Sequence, residues 1–350
     1  MLFGNTETKQ EIRTTRSVHW PFPDRARGFN TTHEYLTPSI ITKLHDWNVN
    51  VLRINIGSGK RKENRSFQKP KNDYEPVLKK IDSILPYCRQ NKLGLIISLD
   101  DDPWRREKNN WSREGIRRYK NRLLEIWGMI AAKYALEPAI LAYDVYNEPQ
   151  YKRADSNVWN EEVMQSVIEK IRNHDKKISI IIEPGPWAFP ESLESMKVFE
   201  DPNIIYSVHM YAPREYTHQG IRDLKALKGK LSYPGWLQMF STSLPRYWDK
   251  ELLIKYVREA RRFQEKYNVR IFVSEFGVVR WAPGSAKWVK DSIEIFEQYG
   301  WDWCFHSYGA WNGFNPSFDP EDRVSLLSDG NKTTETLKVL LHYFKKNQLN

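Results

Sequence analysis

Ala139-Ile140-Leu141-Ala142-Tyr143-Asp144-Val145-Tyr146 is a nearly continuous apolar run, followed at once by Asn147-Glu148-Pro149. A short run without a polar face predicts a strand buried on both sides, as in a parallel sheet. Before it, Arg113–Tyr134 carries apolar residues at helical spacing, and after it Ser156–His174 does the same. Helix, strand, helix is the repeating unit of a parallel sheet covered by helices.

The unit recurs in both directions. Val49–Ile56 and Leu93–Asp100 lie upstream, with Arg27–Thr31 as a weaker first strand. Ile178–Glu183, Ile204–Tyr211, Val269–Glu275 and Trp301–Tyr308 lie downstream. Helical periods over Pro38–Trp47, Tyr74–Arg89, Tyr247–Tyr267, Ala286–Tyr299 and Lys332–Lys346 alternate with them, and a short one near Glu191–Met196 follows the fifth strand. Eight such repeats over about 320 residues predict an α/β fold, the (β/α)8 TIM barrel. A doubly wound sheet would need a Gly-rich phosphate turn after its first strand. Gly57-Ser58-Gly59-Lys60 is no such loop, because Ile54 and Arg61 break the pattern. Without a linker or internal repeat, residues 1–350 are expected to form a single domain. Its enlarged βα loops are Gly57–Asp73, Ala212–Arg246 and Gly309–Gly330, on the face where barrels build their sites.

Composition narrows the class. With 350 residues, 40% hydrophobic and 28% charged, the chain is globular rather than disordered. No apolar window approaches membrane-helix length, so no membrane partner is expected. Met1-Leu2-Phe3-Gly4-Asn5 turns polar at once, unlike a signal peptide. Localisation stays open: cytoplasmic, or secreted or periplasmic if a signal was removed. Cys88 and Cys304 are too few for a disulfide framework or a cysteine zinc site. The net charge of +10 is scattered over helical faces, and its densest run, Lys60–Arg65, is short and interrupted. That is a solvated surface; no nucleic-acid partner is expected. No metal or organic-cofactor pattern occurs, so no cofactor is expected.

Aromatic residues are abundant, with 14 Trp, 18 Tyr and 15 Phe. Several tryptophans sit beside loop residues, as in Pro103-Trp104, Pro186-Trp187, Gly235-Trp236 and Trp311-Asn312-Gly313. Aromatics on loops bind flat apolar surfaces such as the C–H face of a sugar. In a barrel, polar residues at the C-terminal strand ends line the site. Those positions hold Arg53, Asp100, Asn147, Glu148, His209, Tyr211, Glu275 and His306. Glu148 and Glu275 each end an apolar strand, a costly place for a carboxylate that is neither paired nor used. Two carboxyl groups in a sugar-binding cleft perform glycoside hydrolysis: one protonates the leaving oxygen, and the other attacks or activates water.

Tyr143–Pro149 resembles the Asn-Glu-Pro signature of glycoside hydrolase family 5, the cellulase-like family of the clan A retaining β-glycosidases. Ser274-Glu275-Phe276-Gly277 resembles that family's nucleophile strand, and His209-Met210-Tyr211 with Tyr216–Gly220 its sixth-strand segment. Gly28-Phe29-Asn30 and Val51-Leu52-Arg53 are similar to its first two strand signatures. The resemblance implies a retaining mechanism with Glu148 as acid/base and Glu275 as nucleophile. It implies that Arg53 and Tyr211 hold Glu275, that Asn147 contacts the sugar 2-hydroxyl, and that His209 sits beside Glu148.

Two positions depart from the family pattern. Asp100-Asp101-Asp102-Pro103 stands where a histidine is frequent at the third strand, and His306 where a tryptophan floors the −1 subsite. Either His306 itself lines that subsite or Trp303 or Trp311 replaces the floor, with Trp303 and Trp301, which share strand parity, the alternative candidates for the core; Trp187 is expected to bind substrate as well. The modal activity implied is endo-β-1,4-glucanase, acting as a monomer on a polysaccharide or oligosaccharide. Alternatives on the same scaffold are mannanase, xyloglucanase, β-1,3-glucanase and exo-acting β-glucosidase. The alternative of another class is a non-catalytic carbohydrate-binding barrel.

Overall fold

Closure is the feature that organises this chain: eight strands each run parallel to both neighbours, and the last pairs with the first. The computed structural model describes residues 25–57, 74–100, 110–239, 243–322 and 330–347. In chain order the barrel strands are β1 (Arg27–Thr32), β2 (Val51–Ile56), β3 (Gly94–Leu99) and β4 (Ile140–Asp144). They continue with β5 (Ser179–Ile182), β6 (Ile204–Met210), β7 (Arg270–Phe276) and β8 (Asp302–His306). The expected (β/α)8 barrel is the fold found.

The outer layer comprises α1 (Pro38–Asp46), α2 (Glu75–Gln90), α3 (Arg113–Tyr134), α4 (Gln165–Arg172), α5 (Lys250–Tyr256), α6 (Arg258–Tyr267), α7 (Ser285–Tyr299) and α8 (Glu335–Phe344). Their apolar stripes, such as Ile41 and Leu44 of α1 or Leu123, Trp127 and Ile130 of α3, bury against the outward residues of the strands. Thr37, Ser112, Asp249 and Thr334 cap four of these helices by accepting a hydrogen bond from a backbone N–H in the first turn. Among the described residues no helix is long and apolar enough to cross a membrane.

Three elements differ from expectation. The fourth strand ends at Asp144, although the Val145 N–H still donates to the Ile181 carbonyl of β5 and the Asn147 N–H to the Leu99 carbonyl of β3. The expected helix over Ser156–His174 begins as wider π-type winding over Val158–Met164 and tightens only in α4. Arg246–Trp248 is not helical; it pairs antiparallel with Gly235–Leu237 as a small ribbon within the long connection after β6. Residues 58–73 of the expected loop Gly57–Asp73, the Pro103-Trp104 pair, Lys60–Arg65 and residues 323–329 lie outside the described residues.

Inside the ring, alternate residues of each strand point inward. Val51, Ile96, Ala142, Ile181, Ile205, Phe272 and Cys304 form a closed apolar plug with Ala26. Two residues further on, the same strands carry Arg53, Asp144, Glu183, Ser207, Ser274 and His306. Strand β7 departs from strict alternation. Across from it, Val208 pairs with Val273 but His209 with Glu275, and Trp303 pairs with Val273 but Phe305 with Phe276. One extra residue against both neighbours is a bulge, which re-aims side chains. It lets Ser274 and Glu275 both face inward. Gly277 follows, and a Cβ there would overlap the His306 carbonyl, so β7 and β8 approach this closely only with glycine.

Candidate active site

The barrel mouth is built around Arg53, whose side chain is wholly buried. Its five N–H donors all have acceptors. Nε donates to Asp144 Oδ2 at 2.7 Å, and Nη1 to Asn30 Oδ1 at 2.9 Å and Glu275 Oε1 at 2.7 Å. Nη2 donates to Asn147 Oδ1 at 2.8 Å and Glu183 Oε1 at 2.9 Å. A guanidinium so committed cannot rotate, and it fixes residues from β1, β4, β5 and β7 at once.

Glu275 receives a second hydrogen bond from the Tyr211 hydroxyl, 2.8 Å from Oε2. Burial would raise its pKa, but the charged His209 imidazole, the Arg53 cation and the Tyr211 O–H together lower it, so it is held ionised. Glu148 stands on the arch beyond β4 in a left-handed conformation, φ 50°. Such a backbone is costly for a residue with a side chain and persists only where its surroundings hold it. Here the Glu148 N–H donates to Glu183 Oε2 at 2.7 Å. Its Oε1 lies 3.0 Å from His209 Nδ1, and His209 Nε2 lies 3.1 Å from Glu183 Oε1. Burial disfavours a charged His209, yet Glu183, Glu275 and Glu148 raise its pKa well above the ordinary value.

Glu148, His209 and Glu275 each present one atom within 4.8 Å of the others. Among the described residues these three are the group whose geometry suits a metal ion, and it comprises the two facing carboxyl groups with the histidine between. The pair opens into a cleft of about 840 Å³, lined also by Tyr211, His306, Trp187, Trp311 and Phe314. Burial lowers the His306 pKa in spite of nearby Glu275, which favours a neutral ring. Its Nδ1 has no hydrogen-bond partner and lies 3.8 Å from Glu275 Oε2.

The structure brings Glu148, Glu275, Arg53, Asn147, His209, Tyr211 and His306 together. Trp187, 42% exposed, and Trp311 line the cleft. Trp303 does not, and its expected place as a subsite floor is corrected. It has the parity opposite to His306, faces the outer layer against Phe276 and Phe344, and donates its indole N–H to Glu297. Asp100 follows β3 and is not among the described residues lining the cleft; its backbone N–H donates to the Ile56 carbonyl. The sequence reading missed Glu183, Asp144 and Asn30 as site residues. Glu183 was legible: it closes Ser179–Ile182 as Glu275 closes its own strand.

Two carboxyl groups whose oxygens come within 4.8 Å, across the mouth of a TIM barrel, fit a glycoside hydrolase of the retaining kind. The family model for Cellulase (glycosyl hydrolase family 5) matches residues 14–314. The chain belongs to that family and is a glycoside hydrolase. It is 29% identical to Endoglucanase C of Acetivibrio thermocellus over 246 residues, 64% of this chain and 71% of that protein. It is 24% identical to Cellodextrinase A of Ruminococcus flavefaciens over 227 residues, 63% of this chain and 64% of that one. The fold is shared with endoglucanase Cel5A of Thermotoga maritima, at TM-score 0.69 and 20% identity, covering 90% of this chain and 96% of that structure.

Proposed function

We propose that this chain is a retaining endo-β-1,4-glucanase in which Glu275 is the nucleophile and Glu148 the acid/base. The observation that carries this is the short separation of their oxygens, within 4.8 Å. It suits the roughly 5–5.5 Å between carboxyl groups of retaining enzymes and leaves no room for the water an inverting enzyme holds between them. Similarity to endoglucanases supports the β-1,4-glucan.

In the first step ionised Glu275 attacks the anomeric carbon while Glu148 gives its proton to the leaving oxygen. In the second, Glu148 takes a proton from water as that water displaces Glu275 from the sugar. Arg53 and Tyr211 aim the nucleophile. Asn147, its oxygen engaged by Arg53, keeps its NH₂ as donor to the sugar 2-hydroxyl. Glu183, through the Glu148 N–H and the His209 ring, fixes where the acid/base stands.

The test is hydrolysis of end-labelled cellulosic, mannan, xyloglucan and β-1,3-glucan polymers, with products sized and the first-formed anomer read by NMR. Mannan belongs in the panel because the Thermotoga maritima Cel5A has been solved with mannotriose as well as cellobiose. Internal cleavage of the β-1,4-glucan with the β-anomer appearing first is expected. An α-anomer appearing first removes the double-displacement mechanism, and preference for another polymer replaces the substrate.

A further inference from the structure

Among the described residues seven large apolar side chains are exposed, and they are unevenly placed. Tyr87, Leu136 and Tyr267 belong to the outer helices or their ends, whereas Trp187, Trp236, Leu244 and Tyr247 stand on the loops after β5 and β6. Trp236 is 71% exposed and Tyr247 50%. They are direct cross-strand partners on the ribbon, their rings 6.0 Å apart and inclined at 72°. The residues beside them in sequence, Leu237 and Trp248, are buried, and Trp248 packs on Tyr256, which lines the cleft. The ring pair is thus exposed but carried on an anchored ribbon, so little ordering remains to be done when it binds.

The ribbon is continuous with the cleft. Met239 lines the cleft and is three residues from Trp236, which limits their Cα separation to about 10 Å. Around the ring β6, whose connection carries the ribbon, lies between β5 and β7. The exposed rings therefore flank the cleft on its β6 side, beside the strand that carries Glu275. We propose that Trp236 and Tyr247 form an accessory platform that stacks on a segment of a neutral β-linked glucan chain where it runs out of the cleft. This rests on the polysaccharide substrate of the functional reading above. The recognition is apolar: ring faces against sugar C–H faces, with the indole N–H and phenol O–H free to bond hydroxyls.

The experiment compares wild type with Trp236→Ala and Trp236→Ala/Tyr247→Ala on a soluble β-1,4-glucan polymer and on an aryl β-cellobioside too short to reach the ribbon. The double variant is expected to raise KM for the polymer roughly five- to tenfold, the scale of one or two aromatic contacts. Its kcat/KM on the aryl glycoside should equal wild type. Equal KM on the polymer overturns the platform. An equal loss on both substrates also overturns it, because the ribbon would then be shaping the cleft itself. If wild type cleaves the mannan or another polymer of the panel instead, the comparison is run on that polymer; the linkage then fails and the platform is still decided.

Discussion

The two halves of the barrel interior are built on the same strands and differ by two residues in sequence. In the lower half Val51, Ala142, Ile181, Phe272 and Cys304 close an apolar plug, all fully buried. In the upper half Arg53, Asp144, Glu183, Ser274 and His306 occupy the next inward positions, and the first four are also fully or almost fully buried. The plug is stabilised by removing hydrocarbon from water. The upper half removes charges from water, which costs several kcal/mol per ion before pairing. It persists because Arg53 meets three carboxylates and because the plug and helices below hold the strands in place. The step from apolar to ionisable along one inward row marks where stability ends and chemistry begins.

The sharpest break between the halves is expected in variants that remove function without touching the fold. Glu275→Gln should lower kcat by roughly 10⁴-fold or more, and Glu148→Gln by roughly 10²–10⁴-fold on a natural polymer. With an activated aryl glycoside, whose leaving group needs no acid, Glu148→Gln should lose much less in the first step. Steady-state kinetics with circular dichroism as the folding control measures both. Near-wild-type turnover in either variant on the polymer removes the role assigned to it.

The reverse experiment belongs to the plug. Phe272→Ala should destabilise by about 3–5 kcal/mol, since the closed ring cannot collapse onto the space left behind. The fraction that stays folded should keep its kcat/KM. Urea denaturation paired with active-site titration separates the two quantities; a loss of kcat/KM per folded molecule would show that the plug tunes the site.

How far these halves were legible follows from particular residues. Strand periodicity located the barrel because strands buried on both faces are written as apolar runs, and eight alternations leave few other folds. Glu275 was found as a strand end, although simple alternation from Phe272 would have turned it outward; the bulge that turns it inward has no local signal in Val273-Ser274-Glu275. Of the two readings of Trp303, subsite floor or core, its parity with Trp301 rather than its chemistry decides for the core, and both are buried. Asp144 and Asn30 were missed because each lies within an apolar or weak strand, and their use depends on Arg53 reaching across the barrel. Such a contact is set by ring closure, not by any neighbour in sequence.

Within the upper half, Glu183 is expected to matter next most. It holds the Glu148 N–H and His209 Nε2 with different oxygens, so Glu183→Gln keeps the shape but turns one acceptor into a donor facing Arg53, His209 or Glu148. A fall in kcat of roughly ten- to hundredfold is expected, the range seen when partners behind reactive groups are lost. KM should change little, because Glu183 is walled off from the cleft. Glu183→Asp should recover less than the wild type but more than the glutamine. A change confined to KM would place Glu183 against the sugar instead.

His306 sharpens the comparison at the cleft surface, where the inward row reaches the open cleft. Its ring lines the cleft and is one-fifth exposed, so it is expected to contribute one hydrogen bond to the sugar, and His306→Ala should lower kcat/KM by roughly tenfold. Thermal stability should be nearly unchanged. Loss of stability with normal kcat/KM in the folded fraction would make it a packing residue, and Trp311→Ala then tests whether that ring is the floor.

The smallest effect is a pH dependence at Asp144, which lies on the border between the two halves. Burial, aided by Glu183, raises its pKa from 3.8 to about 7, although Arg53 opposes the shift. A carboxyl whose folded pKa lies above its unfolded one favours the fold while protonated. Its contribution is therefore full below about pH 4 and is lost as pH rises through about 7. Asp144→Asn keeps an oxygen for the Arg53 Nε–H and cannot titrate. It places an amide N–H₂ where the protonated acid has a single O–H, so only one further unpaired N–H is added, at a cost of about 1 kcal/mol at low pH. As pH rises from 5 to 8 wild type loses its advantage while the variant does not, so the gap in urea midpoint should narrow or reverse. A gap that is constant across this range would mean that Asp144 is ionised throughout, with Arg53 outweighing burial.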